Sequence, residues 1–403
     1  MDRRRRAVWL MMLLLVPVGV ATVIGLVALW PDGKPTRAQH VADSYVPPGG
    51  TTYDHGQVAK VTTQPCPSDA STPKSTCGTA VVKILDGPGA GDYQQIDLPP
   101  EVVAAGVSVG DTFVLTRDAA TQGGPSYQFF DYARGTPIVV LAIAFAVVVG
   151  LVARLRGLAA LLGLAFAFAI LLKFVVPGLL ADESPMLVSL VGASAIMFVV
   201  LYLAHGFSAR TTTALVGTLF GLALIAVLGT LAVGAARLTG LTTEETITLN
   251  NFDPTLSFSG LVTAGVVVAG LGVLNDVTIT QASAVWQLHE ADPATPWRQL
   301  FGRGMVIGRD HIASTVYTIV FAYAGAALPL LLLFELYHRP FWTTLTSSVV
   351  AEEVIRTLVG AIALVLAVPV TTAIGAFVAK AAGTPAGVPA GERRDDLRER
   401  VAW

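Results

Sequence analysis

The 403-residue chain is 53% hydrophobic, only 13% charged, and carries a net charge of −2. A soluble domain has roughly 25% charged residues. Here the deficit is concentrated in long uncharged runs, which sets aside an ordinary soluble fold and places the chain in the membrane class. No basic stripe interleaved with aromatics suggests nucleic acid.

A bilayer core needs about 20 apolar residues per spanning helix. Eight runs are candidates, at 8–30, 137–153, 157–172, 185–203, 211–235, 255–275, 312–334 and 357–378, the second and third being short. The first follows "MDRRRR" and ends in "LVALWP". It is longer than the apolar region of a cleaved signal and has no small-residue cleavage site, so a retained anchor is expected, with Trp30 at the interface.

Residues 31–136 differ in composition. Short β-like runs ("GQVAKVTT", "TAVVKILDG", "DYQQIDLP", "GDTFVLTRD", "SYQFFDYA") alternate with Gly-, Pro- and Asp-rich turns, which predicts about five strands. A small antiparallel barrel, OB-like in kind, is expected. With the N-terminus in the cytoplasm, the inner segments hold Arg3 to Arg6, Arg154, Arg156, Arg210, Arg298, Arg303, Arg309, Lys380, Arg393, Arg394, Arg398 and Arg400. The short outer loops and helix ends hold Lys173, Arg237, Arg339 and Arg356. This satisfies the positive-inside rule and puts residues 31–136 outside. Cys66 and Cys77 then lie where disulfides persist. Two cysteines are too few for a structural zinc site, so a disulfide is expected over free thiols.

The later runs are rich in Gly, Ala, Ser and Thr, which allow close helix packing. Lys173 is expected to snorkel. Arg210, in "HGFSARTTTALVG", follows residues that look like a helix start. The stretch "GLGVLNDVTITQASAVWQLHE" carries Asn275 and Asp276 at the end of the sixth run, and "GRDHIAST" carries Asp310 and His311 at the start of the seventh. A carboxylate at a helix C-terminus opposes the helix dipole. Asp276 therefore calls for a helical continuation, a positive partner such as Arg303 or Arg309, or a bound cation or proton. Asp310, read as opening its helix, is favoured by the dipole. A loop segment of about 35 residues between the two helices would let these ends meet near the cytoplasmic face. The candidate substrate or ion site is Asn275, Asp276, Thr278, Asp310, His311, Tyr317 and Tyr323, with Arg303 and Arg309 as supporting ion-pair partners. A metal is left open there, and a structural ion-pair and capping network is the competing reading.

In these segments the chain resembles the YibE/F-like family of multi-pass bacterial membrane proteins. The segments are "GVLNDVTITQASAVWQL", "GRDHIASTVYTIVFAYAGAALPLLLLF" and "FFDYARGTPIVVLAIAF", in a likeness expected over most of residues 50–380. The resemblance implies Asp276, Arg309, Asp310 and Tyr323 as pattern positions. It departs at Tyr317, where the family has Asn, and at Asn275, where it often has an apolar residue.

No phosphate-binding loop, H-E-x-x-H or G-x-S-x-G motif occurs. The sequence thus predicts a polytopic α-helical membrane protein of about eight transmembrane helices, with a small all-β extracytoplasmic domain between helices 1 and 2. Its expected parts are residues 1–30 (basic N-terminus and anchor), 31–136 (outer domain), 137–380 (seven helices) and 381–403 (charged cytoplasmic tail). A bacterial plasma-membrane transporter or permease is the leading expectation. A membrane assembly or signalling protein is the alternative, and a membrane-embedded enzyme ranks below both. No cofactor is expected. The expected partners are the bilayer, a small solute or cation, and other membrane subunits.

Overall fold

The computed structural model describes residues 3–45, 51–66, 76–121, 124–337 and 340–382. Most of the Pro-rich loop after Cys66, Arg339 and nearly all of the charged C-terminal tail lie outside the described residues. The chain divides into two compact units, Ala38–Val152 and the combination of Met1–Arg37 with Ala153–Trp403.

In chain order, helices α1 (Arg3–Ala28) and α2 (Arg37–Tyr45) precede strands β1 (Thr52–Pro65), β2 (Thr76–Ile84) and β3 (Tyr93–Leu98). A short α3 (Pro100–Ala105) leads to β4 (Thr112–Thr121) and β5 (Gly124–Tyr132). Every expected strand is present. The strands form one antiparallel sheet in the order β3-β2-β1-β4-β5. The sheet curls until β3 and β5 approach each other. Alternation along the strands sends Val58, Val82, Ile84, Ile96, Phe113 and Leu115 inward, all nearly solvent-free. Val103 and Val107 pack against this core. The expected disulfide is present: Cys66 and Cys77 have Cα atoms 4.9 Å apart at the loop end of the β1–β2 hairpin.

The remaining elements are helical. They are α4 (Gly135–Ile170), a π-helical turn (Leu171–Val175), α5 (Val176–Leu180), α6 (Pro185–His205), α7 (Ala209–Ala235), α8 (Glu244–Phe252), α9 (Phe258–Ala291), α10 (Trp297–Ala326), α11 (Leu328–Leu336), α12 (Phe341–Leu345) and α13 (Ser348–Ala382). Among the described residues six helical segments are long and apolar enough to cross a membrane, or seven if the pair α10 and α11, bent by 64°, counts as one. The α4 backbone leaves helical geometry at Arg154 (φ 53°). Its two halves correspond to the two short runs at 137–153 and 157–172. Ser208 caps α7 by accepting from the Thr211 N–H, as its sequence suggests.

The core of the helical unit lies where α7, α9 and α13 meet, with α6 on one flank. Glycines set how close these helices come. A Cβ at Gly221 would lie 2.6 Å from Leu274 Cδ2, and one at Gly270 would lie 2.2 Å from Ile225 Cδ1. Glycine is therefore required for α7 and α9 to interlock along their lengths.

The helical continuation that Asp276 called for is present: α9 passes Asn275 and runs to Ala291, with buried residues recurring along one face from Phe258 to His289. One expected boundary is corrected. α10 does not open at Asp310; it starts at Trp297. The expected 35-residue loop segment is instead the second half of one helix, a turn at 292–296, and the first half of the next. The apolar run breaks there because packing is made by small and amide side chains, which hydropathy does not register.

Candidate functional site

Helical continuation resolves the dipole conflict at Asp276. The residue lies near the middle of a 34-residue helix, far from the terminal carbonyls on which a dipole penalty depends. Asp310 likewise sits well inside a 30-residue helix, so helix-start stabilisation does not account for it.

The relative level of the two carboxylates follows from Gln281. This side chain is fully buried. Its Nε2 donates to the Gly304 carbonyl of α10 at 2.8 Å and to Thr372 Oγ1 of α13 at 2.7 Å. A Cβ at Gly308 would lie within 3.2 Å of both Gln281 amide atoms and 2.7 Å from Val368 Cγ1. "GMVIG" (Gly304 to Gly308) is thus a close-approach motif seating α10 against α9 and α13. α9 and α10 run antiparallel past this lock. Asp276 lies five residues from Gln281 in one direction, and Asp310 lies two beyond Gly308 in the same direction. At 1.5 Å per residue the carboxylates are within about one helical turn in height, at mid-length of the bundle.

Both aspartates are exposed. Among the described residues no hydrogen bond or ion pair joins either to His311, Arg309 or the other, and no group of three His, Cys, Asp or Glu side chains could hold a metal. Arg309 is exposed, and His311 half-buried. Arg303 does not serve Asp276: it reaches Asp292 at 3.4 Å and Thr295 Oγ1 at 3.2 Å, bracing the α9–α10 turn. In that turn Thr295 hydrogen-bonds Asp292 and, with Arg303, holds its carboxyl below the ordinary value. Asn275 is half-buried, with an Oδ1 that has no partner. Thr278 is wholly buried and shares a 2.6 Å hydrogen bond with Thr218 of α7; it bridges two helices. Tyr317 is 65% exposed, whereas Tyr323 packs against the cluster of Val277, Ile319, Leu364 and Val368.

Sequence reasoning missed the buried polar seam of Thr218, Gln281, Thr371 and Thr372. Gln281 Oε1 and Thr371 Oγ1 have no partner there. A glutamine six residues into a supposed cytoplasmic extension gave no sign of burial; the "GMVIG" spacing was the available signal. Also missed was Glu352 in α13, 9% exposed, with Oε2 accepting from Thr242 Oγ1 at 3.1 Å and Oε1 unpartnered. Its neighbour Glu353 pairs with Arg356.

These features define a class: a bundle of long apolar helices with polar groups at mid-length, joined in sequence to a small curled β-sheet unit. The family model for YibE/F-like protein matches residues 141–381, more than half of the 403 residues. The chain belongs to the YibE/F-like family. The match begins inside α4, so the five strands lie outside it and the shared region is narrower than the expected 50–380. Neither a curated protein nor a solved structure matches the chain.

Proposed function

We propose that this protein is a multi-pass permease of the bacterial plasma membrane, moving a small solute or cation along the α9–α10 face. The observation that carries the reading is Asp276, a carboxylate with no partner among the described residues, placed midway along the apolar helix α9 at the level of Asp310 in α10. A charged group in a spanning helix costs up to about 2.5–3.5 kcal/mol at the bilayer centre on insertion scales and marks ion or substrate paths more often than packing. Asp276 with Asn275 is the pair expected to meet the solute. His311, half-buried on α10, lies near the same level.

The segment Gly135–Leu180 has 46 residues, about 69 Å of helix, against a hydrocarbon core of about 30 Å. Broken at Arg154, it supplies two crossings and brings the total to eight. That count keeps both termini cytoplasmic and residues 31–136 outside. The strand order, the β3–β5 approach and the helix between β3 and β4 favour an OB-like barrel for the outer domain.

The test is flux in proteoliposomes carrying the purified chain, with entrapped indicators for protons, sodium, potassium and magnesium under imposed gradients. Wild type should dissipate at least one gradient, and Asp276→Asn should abolish this at equal protein content. Absence of flux under every gradient, or full flux in Asp276→Asn, would overturn the reading. A second reading, partner binding by the outer domain, is favoured by the exposed edge-to-face pair Tyr53 and Phe130, with centroids 5.0 Å apart. Replacing both by serine should then change co-purifying proteins while leaving flux intact.

A further inference from the structure

The outward face of α10 carries charge that nothing among the described residues answers. Gly304 and Gly308 face Gln281, Val285 and Val368, which fixes the inward side of the helix. Val306, Asp310, Ala313, Tyr317 and Phe321 are spaced at three and four residues and are all exposed. They form one stripe on the opposite side. Arg309 flanks it, also exposed and without a partner among the described residues. Residues one apart on a helix do not face each other, so Arg309 does not neutralise Asp310 in its own chain. Lysine and arginine can snorkel from such a depth; aspartate, with a single methylene, cannot.

We propose that this stripe is the interface with a second copy of the chain, in which Arg309 of each protomer pairs with Asp310 of the other. The inference rests on the multi-pass reading. Two copies inserted with the same topology are related by a two-fold axis along the membrane normal, so residues of equal height meet. Arg309 and Asp310 differ by one residue, about 1.5 Å in height. The patch is therefore self-complementary: one reciprocal contact satisfies both charges in both chains. A different subunit would need to supply both an acid and a base at this level, whereas a second copy already has them. Ala313, one turn away, lets the two helices approach closely, and Tyr317 and Phe321 extend the contact. Pairing of Asp310 in this way leaves Asp276 as the free carboxylate of the proposed path.

The test uses the full-length chain in native membranes. Both native cysteines are consumed in the Cys66–Cys77 disulfide, so Ala313→Cys introduces the one available thiol. Oxidation should yield a disulfide-linked dimer of twice the chain mass. Arg309→Asp or Asp310→Arg in that background should lower the yield by about tenfold, and the double exchange should restore it. Where a single variant fails to accumulate, the double exchange decides. A chain retained in carbonate-washed membranes that forms no dimer, links to a different protein, or is not rescued by the double exchange overturns this inference alone. A chain released by carbonate overturns the multi-pass reading and this one with it.

Discussion

The sheet unit and the helical unit treat charge in opposite ways. In the sheet unit, Asp54 is only 6% exposed, and the Arg117 Nε–H donates to it at 2.8 Å. The turn 85–92 closes over the pair: Gly87 has φ +76°, and a Cβ there would lie 2.4 Å from Asp54 Oδ2. Asp86 in the same turn accepts from the His55 backbone and from its ring Nδ1 at 2.7 Å. In the helical unit, Asp276, Arg309 and Asp310 sit at mid-length of apolar helices with no partner among the described residues. A unit that answers its buried charges internally is self-contained. One that does not leaves charge open, which is what the proposed solute path and helix contact would use.

The sharpest break of this contrast is Arg117→Met, which strands a buried carboxylate and should cost the sheet unit about 3–5 kcal/mol. Asp54→Leu added to it should recover most of that loss, as read from thermal unfolding of the purified chain. Next comes the crosslink. Cys66 and Cys77 are 11 residues apart, and replacing both by serine should cost about 2–3 kcal/mol, an effect that reductant reproduces in the wild type. In the helical unit, Gln281→Ala removes both bonds to α10 and α13 and should lower stability in detergent by about 1–3 kcal/mol. A smaller effect is expected at Asp86. Burial pushes its carboxyl up, but the hydrogen bonds from His55 outweigh this and hold it below 3.8. Its stabilisation is thus complete above the unfolded value and is lost as pH falls through the lower folded one. Asp86→Asn should flatten that acid limb in a pH series of melting temperatures. Smallest is Asp276→Asn, which breaks no contact and should shift stability by no more than about 0.5 kcal/mol while removing flux. A large loss of stability there would show that Asp276 is structural after all, and the contrast between the units would collapse.

The sheet unit was legible because its signals are local. Alternation in "TAVVKIL" and "DTFVLT", bounded by Gly and Asp turns, carries both strand identity and inward face. The helical ends were less legible. Hydropathy stops at Asn275 because Asp276, Thr278, Thr280 and Gln281 follow. Yet α9 stays buried for 14 further residues, to His289. Thr278 is bonded to Thr218, and Gln281 Nε2 to Gly304 and Thr372, partners 23 to 91 residues away. The candidate residues were divided likewise. Asp276 and Asp310 stand out in any reading of the chain, but placing both at one level required knowing that Gly304 and Gly308 lie against Gln281.

Composition, run length and periodicity by themselves determined the long apolar helices, the five strands and the cysteine pairing, because each depends on neighbours within a few turns or on a pattern of fixed spacing; the family was legible only as a resemblance carried by whole segments. Only the tertiary structure decided where α10 begins and ends, which polar side chains are consumed in packing, and which charges are left over. A polar residue's cost depends on whether a partner from another helix reaches it, and that is a property of helix contacts rather than of the residues themselves.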